Sequence, residues 1–111
     1  MTIPGNWVLH YDWNVTGTYS TSNMTFNANG TFTGTPSLTG KWYFSEGKIL
    51  WRYDGALATV YSGDGADKAL VGISSTLGGL NGAWYAHPVG LATFAESAPE
   101  TKVDAAGNKV K

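Results

Sequence analysis

The side chains best suited to acid–base chemistry lie close to the start of the chain. His10 and Asp12 are two residues apart in the segment 6–13, so an extended strand would place them on one face, where they could share a hydrogen bond. The large apolar residues of this segment occupy the opposite parity, namely Trp7, Leu9, Tyr11 and Trp13. Since that parity is the natural core side, we expect His10 and Asp12 to face outward, and we predict no catalytic residue.

The other polar residues are typical of surface positions. Arg52 and Asp54 share a parity and are expected to form a surface ion pair, while His87 precedes a proline in a turn and is expected to be solvated. Two histidines without cysteine form no recognisable metal-ligand set, and the turn with Asp64 and Asp67 falls far short of a calcium loop. We therefore predict neither a metal nor a cofactor.

The aromatic residues are the group of side chains that best indicates a function. They make up 14% of the chain, and a large group falls on plausible inward parities: Tyr11, Trp13, Trp42, Phe44, Trp51, Tyr53, Tyr61 and Trp84. Aromatic walls with a few hydroxyl groups are typical of a small-molecule pocket. The same side chains could instead simply fill a small barrel, since a chain of 111 residues must pack heavily to be stable.

Short strands separated by glycine and asparagine must position these residues. Asn29-Gly30, Glu46-Gly47 and Gly63-Asp64-Gly65 each lie between two β-rich segments, as hairpin turns do. The connections are too short for parallel pairing, and closure would remove the exposed edges of such a meander. We predict an all-β fold, an up-and-down antiparallel eight-stranded β-barrel over residues 1–95, followed by a polar, loosely ordered tail over 96–111.

Charge and composition exclude several classes of function. Only 14% of the residues are charged, against roughly 25% in an average soluble domain, and the net charge is −1. With Arg52 as the single arginine and no basic stripe, we expect no nucleic-acid partner. No apolar run approaches the roughly 18 residues of a membrane span. The chain has no signal-peptide pattern at its start, so we expect a cytoplasmic protein or a mature secreted form.

Several motifs resemble one group of ligand-binding barrels. A Gly-x-Trp motif opens the meander at 5–7, as it does in calycins, the group of lipocalins, fatty-acid-binding proteins and avidins. Ser-Asn-Met-Thr-Phe at 22–26 before Gly-Thr-Phe-Thr-Gly-Thr at 30–35 is similar to the first hairpin of the avidin/streptavidin family. Leu-Trp-Arg-Tyr at 50–53 with Thr-Val-Tyr-Ser-Gly at 59–63 resembles its central hairpin, and Trp-Tyr-Ala-His-Pro-Val-Gly-Leu-Ala-Thr-Phe at 84–94 resembles its closing pattern.

The resemblance implies a site like that of avidins, in which aromatic walls and polar groups clamp biotin. Five positions match residues of that site: Trp51 and Trp84 match two wall tryptophans, Tyr61 an aromatic residue, Thr59 a hydroxyl near the ligand sulfur, and Ser22 a serine that contacts the ureido ring.

Three positions depart from the avidin pattern. The tyrosine that donates to the ureido oxygen falls at Pro36, the side chain that accepts from a ureido nitrogen falls at Ala92, and another wall tryptophan falls at Gly72. Each missing hydrogen bond to a buried polar ligand costs roughly 1–3 kcal/mol. We therefore expect biotin to bind weakly or not at all.

These observations predict a non-catalytic barrel that binds a small, partly apolar molecule. The predicted ligand-binding residues are Trp51, Tyr61, Trp84, Thr59, Ser22 and Tyr53. One alternative is an enzyme, such as a cyclase or isomerase acting on a small apolar substrate, in which a tyrosine or histidine donates a proton. Another is a carbohydrate-binding lectin, whose aromatic residues would lie on the rim or outside.

Two neighbouring segments are apolar on both parities, which predicts an interface. They run from Leu57 to Tyr61 and from Ala69 to Ile73, and their outward positions carry Ala58, Val60, Val71 and Ile73. A barrel strand that faces water should alternate apolar with polar residues. We expect a homodimer or a homotetramer that forms through these outer faces.

Overall fold

The computed structural model describes residues 1–66, 68–90 and 103–108. These residues form eight β-strands and no helix, which confirms the predicted all-β class. The strands are β1 (Gly5–Trp13), β2 (Ser20–Phe26), β3 (Thr31–Gly34), β4 (Leu38–Ser45), β5 (Lys48–Tyr53), β6 (Val60–Ala66), β7 (Ala69–Ser75) and β8 (Asn81–Pro88). A search of the same residues finds no helix of the length and hydropathy that a membrane crossing requires.

The strands close into an up-and-down barrel, as predicted. Each strand pairs antiparallel with its neighbours in sequence, and β8 returns to pair with β1. In this closing pair Trp7 lies opposite Pro88, and Trp13 lies opposite Gly82. The odd-numbered strands therefore end, and the even-numbered strands begin, at the same end of the barrel, which we call the mouth.

Alternation with a period of two places the aromatic residues inside the barrel. In β5, Ile49, Trp51 and Tyr53 are buried, and the residues between them are exposed. The largest interior side chains are at most 2% exposed: Trp7, Phe26, Phe32, Trp51, Tyr61 and Trp84. Trp42 is only half buried and packs against this core. Much of the aromatic set therefore fills the barrel by packing ring against ring.

Glycines let two strands approach each other beneath one tryptophan. The prediction of a hairpin turn at Gly63-Asp64-Gly65 is wrong, because these residues lie inside β6 and pair with β7. Gly63 pairs with Gly72 of β7, which in turn pairs with Trp84 of β8. A Cβ atom on Gly72 would overlap the backbone carbonyl of Ser62. The Trp84 indole N–H donates to the carbonyl oxygens of Ser62 and Ile73, at 3.3 and 2.9 Å. Gly72 is therefore required by the packing of β6 on β7.

His10 and Asp12 have the outward parity that we predicted, yet both side chains are buried. The His10 ring stacks on Tyr85 with a centroid distance of 4.3 Å, and its Nε2 lies 3.0 Å from Nε2 of His87. The expectation that His87 is solvated is therefore wrong, because it is half buried against His10. The two histidines therefore contact each other where β1 pairs with β8, on the outer side of the barrel.

Asp12 is buried because it organises the loop that follows β1. Its carboxylate accepts from the backbone N–H and the hydroxyl of Thr16, at 2.9 and 2.8 Å, and from the N–H of Gly17 at 2.7 Å. These bonds hold a loop in which Asn14 and Val15 adopt positive φ angles. Asp12 is therefore a structural residue at the edge of the mouth.

The expected ion pair between Arg52 and Asp54 does not form. Both side chains are exposed, and Asp54 accepts a hydrogen bond from the hydroxyl of Thr39 at 2.9 Å. An ion pair between exposed side chains does occur in the next hairpin, where Lys48 Nζ lies 2.7 Å from Asp64 Oδ1.

Candidate ligand site at the barrel mouth

The floor of the candidate site is a cluster of three buried aromatic rings. The rings of Trp51 and Tyr61 stack with centroids 4.9 Å apart and planes inclined by 12°. Trp84 meets Trp51 at 4.7 Å in an edge-to-face arrangement. Tyr53 joins the cluster from the end of β5, with its ring 5.6 Å from that of Tyr61. The structure therefore brings these four predicted site residues together.

Two residues at the end of β1 add polar groups above this floor. Tyr11 and Trp13 alternate on the inward side of the strand and are buried. The Tyr11 hydroxyl donates to the carbonyl of Val103 at 3.3 Å, and the Trp13 indole N–H donates to the carbonyl of Asp104 at 2.8 Å. Both bonds reach a segment about ninety positions away in the sequence, which we call the mouth turn (residues 103–108).

Two residues at the start of β6 complete the ring of donors. Tyr61 donates its hydroxyl hydrogen to the carbonyl of Ala105 at 2.6 Å, and the Thr59 hydroxyl donates to the carbonyl of Ala106. Both donors are buried, and Thr59 is held by the bond from the Tyr53 N–H to its carbonyl at 2.9 Å. Consequently each of the four consecutive carbonyls of the mouth turn is bound by a different barrel side chain.

Ser22 is the predicted site residue that the structure leaves apart from this ring. Its side chain is half buried on β2, and its hydroxyl donates to the carbonyl of Thr35 at 3.1 Å. Of the positions that depart from the avidin pattern, Pro36 is exposed and Gly72 lies beside Trp84, as described above. Ala92 lies outside the described residues.

Burial holds the tyrosines of the mouth in their protonated form. Burial, with a further contribution from the Asp104 carboxylate, raises the pKa of Tyr11 to about 12. Burial likewise raises the pKa values of Tyr53 and Tyr61 well above the usual value for tyrosine. At neutral pH all three hydroxyls are therefore hydrogen-bond donors, and they are poor acids.

One further donor lies in the floor. The indole nitrogen of Trp51 is buried and has no hydrogen-bond partner within the described part of the chain. It lies close enough to the Tyr53 hydroxyl to oppose part of the rise in the pKa of that group. A ligand that reached below the mouth turn would find this donor available.

Sequence reasoning placed Tyr11 and Trp13 inside the barrel but did not assign them to the site. The sequence signal for this assignment was their position, because they are the last two inward-facing residues of β1 and therefore lie nearest the mouth. The mouth turn was missed because it falls in the polar tail, although Asp104, Gly107 and Asn108 are typical turn residues. The division of the chain into barrel and tail stays a prediction, since most of 96–111 lies outside the described residues.

The comparisons with known proteins return no relative. No protein-family model matches the chain, and neither the curated proteins nor the solved structures give a significant match. In the described residues, no three side chains of histidine, aspartate or glutamate come together as metal ligands would. The closed eight-stranded antiparallel barrel agrees with a calycin-like fold, and its aromatic interior fits a ligand-binding barrel.

Proposed function

We propose that this protein binds a compact small molecule in the mouth of an avidin-like barrel. The observation that carries the proposal is the convergence of four buried donors, from Tyr11, Trp13, Thr59 and Tyr61, on four consecutive carbonyl oxygens. A site built from donors above an aromatic floor selects a ligand with several acceptors and an apolar body. The matching ligand class is a small ring or chain that carries two or more carbonyl groups.

The chemistry of the mouth favours binding over catalysis. A general acid works best when its pKa lies near the working pH, whereas the pKa of Tyr11 is about 12 and those of Tyr53 and Tyr61 are also raised. His10 and His87 contact each other on the outer side of the barrel, on the face of the sheet opposite to that of the mouth donors. The lectin alternative is disfavoured because the clustered rings lie inside the barrel.

The proposal is tested with cyclo(Ala-Ala), a ring with two carbonyl acceptors and two methyl groups. The background is the full chain with Ala106→Lys, in which the mouth turn should not compete because Ala106 is buried. We expect millimolar or tighter binding, and Tyr61→Phe or Thr59→Val should each weaken it about fivefold by removing one donor. Calorimetric titration measures both quantities.

The matched control is Thr25→Val, which removes a hydroxyl of the same kind at the other end of the barrel, where it donates to Asn6 at 2.8 Å. We expect this variant to bind cyclo(Ala-Ala) as well as its parent. Equal losses in Thr25→Val and Thr59→Val would contradict a site at the mouth, as would no binding at millimolar concentration.

We also propose that two copies of the chain associate through the outer faces of β5 to β7. Leu50 is 46% exposed, Val71 is 50% exposed and Ile73 is 69% exposed. Leu50 and Ile73 are paired with Ser62 from either side, so they lie in one row across the sheet. Tyr43, 66% exposed, extends that row on β4. An apolar row of this kind is suited to a second copy related by two-fold symmetry.

Light scattering at micromolar concentration tests this association. We expect a mass of at least twice 11.8 kDa for the wild-type chain. Ile73→Lys should reduce the mass to that of one chain, because it places a charge in the row that Tyr43, Leu50 and Ile73 form. Thr33→Lys adds the same charge at an exposed position of β3 and should leave the mass unchanged. A wild-type mass near 11.8 kDa would reject the assembly.

A further inference from the structure

The mouth turn occupies the candidate site as a bound ligand would. Its carbonyls from Val103 to Ala106 point to barrel donors, while the N–H groups of Ala106 and Asn108 are bound by the Asp104 carboxylate within the turn. The sheet closes without the turn, because β8 already pairs with β1. The turn is therefore held by side chains of the barrel and completes none of the eight strand pairs.

The shape of the mouth selects small residues. Ala105 and Ala106 are 1% and 4% exposed, so a longer side chain has no room at either position. Gly107 has a φ of 87°, and a Cβ atom there would lie 2.8 Å from Cγ2 of Thr76. Turn geometry and close walls thus both favour Ala-Ala-Gly at these three positions.

Asp104 gives the turn its conformation. Its Oδ1 accepts from the N–H of Ala106 at 3.0 Å and from that of Asn108 at 2.9 Å, and its own N–H donates to the carbonyl of Asn108 at 2.9 Å. The carbonyls of Val103, Ala105 and Ala106 are thereby left for barrel donors. The carbonyl of Asp104 accepts both from the Gly107 N–H at 3.0 Å and from the Trp13 indole. Asp-Ala-Ala-Gly-Asn is therefore a sequence that both forms this turn and fits this mouth.

The turn is held by a balance of opposing contributions. Four hydrogen bonds and two buried methyl groups stabilise it in the mouth, and the conformational entropy of six ordered residues opposes it. These contributions are similar in size, so displacing the turn from the mouth should cost little free energy. Because it belongs to the same chain, it competes with other ligands at a high effective concentration.

We propose that the mouth is a binding site for a peptide turn of sequence Asp-Ala-Ala-Gly-Asn, and that residues 103–108 are its displaceable intramolecular ligand. This inference rests on the proposed function, because a small molecule and the turn would use the same four donors. The protein therefore inhibits its own site, and a ligand binds only when the turn leaves the mouth.

Two lysine substitutions in the full chain separate a bound turn from a displaced one. Ala106→Lys places a long charged side chain at a buried position, whereas Asn108→Lys adds the same charge at an exposed position of the same turn. The reporter is the indole N–H of Trp13, which donates to the Asp104 carbonyl. In two-dimensional NMR spectra we expect its resonance to move in Ala106→Lys and to stay in place in Asn108→Lys.

The probe is the hexapeptide of residues 103–108, acetylated and amidated. We expect Ala106→Lys to bind one peptide per barrel, about 30-fold or more tightly than the wild-type chain or Asn108→Lys, whose own turns compete. A control peptide with the same alanine-to-lysine change should not bind. An unmoved Trp13 resonance in Ala106→Lys would overturn the proposal, and so would equal peptide affinity, or none, in all three chains.

The two probes distinguish this inference from the proposed function. If the hexapeptide binds Ala106→Lys and cyclo(Ala-Ala) does not, the small-molecule function fails and the peptide-turn site stands. If cyclo(Ala-Ala) binds and the hexapeptide does not, the peptide-turn site fails and the small-molecule function stands.

Discussion

Replacing Trp84 by alanine should lower the free energy of unfolding by about 3–5 kcal/mol, the range for truncating a buried tryptophan. The side chain is 1% exposed and packs on both Trp51 and Tyr61, so its removal leaves a cavity in the barrel interior. Its indole N–H also bridges carbonyls of β6 and β7, whose close approach depends on the glycines beneath it.

Urea unfolding followed by circular dichroism measures this loss. Trp84→Ala and its control are both made in the Ile73→Lys background, in which the proposed interface of Tyr43 is absent. Tyr43→Ala is then the matched aromatic control, because its side chain is 66% exposed and its truncation should cost less than about 1 kcal/mol. Trp42→Ala should fall between the two, since Trp42 is half buried. A loss for Trp84→Ala as small as that for Tyr43→Ala would show that the barrel is not packed around this residue.

The free energy of unfolding of the barrel should fall steeply between pH 10 and 12. In the unfolded chain tyrosine ionises near pH 10, whereas Tyr11 in the folded chain keeps its proton until about pH 12. Between these values the folded state binds more protons, so the free energy of unfolding falls as pH rises. Each retained proton contributes about 1.4 kcal/mol per pH unit, and the raised pKa values of Tyr53 and Tyr61 add to the slope.

Urea unfolding at pH 8, 10 and 11 gives the slope, and tyrosinate absorbance gives the ionisation. Tyr61→Phe removes one of the titrating groups, so its stability should depend less steeply on pH above 10. Tyr43→Phe, made like Tyr61→Phe in the Ile73→Lys background, changes an exposed tyrosine in the same way and should keep the slope of its parent. Stability that stays constant from pH 8 to 11 would contradict the burial of these hydroxyls.

Local sequence patterns were sufficient to predict the barrel. The alternation in β5 and the Asn29-Gly30 and Glu46-Gly47 turns each depend on residues close in sequence, and the structure contains the corresponding hairpins. Burial of His10 was not predictable in this way, because Tyr85, whose ring stacks on it, belongs to β8, the last strand in the sequence. The parity of His10 correctly predicted that its side chain lies on the outer face of β1, but it could not predict which residues pack on that face.

The candidate site likewise combines features that local patterns predict with features that depend on distant residues. Inward parity placed Trp51, Tyr53, Tyr61 and Trp84 inside the barrel, and the structure packs their rings together. The assignment of Trp51, Tyr61 and Trp84 to a ligand site came from the family resemblance and stays a prediction. Parity could not decide whether these rings line a pocket or fill the interior. In the structure the rings fill the interior below the mouth, and the hydrogen-bond donors lie at the mouth. The docking of the mouth turn could not be predicted from local patterns, since its partners lie more than forty residues away in the sequence.

The order of the strands has a consequence for how quickly the chain folds. Seven of the eight strand pairs join segments adjacent in sequence, and each can form as a hairpin within microseconds. The eighth joins β1 to β8, whose paired residues Trp7 and Pro88 are separated by most of the chain. The entropy of closing so long a loop must be overcome before this contact adds any stability. We therefore expect closure of β1 on β8 to set the folding rate, with the hairpins assembled before the ring is complete.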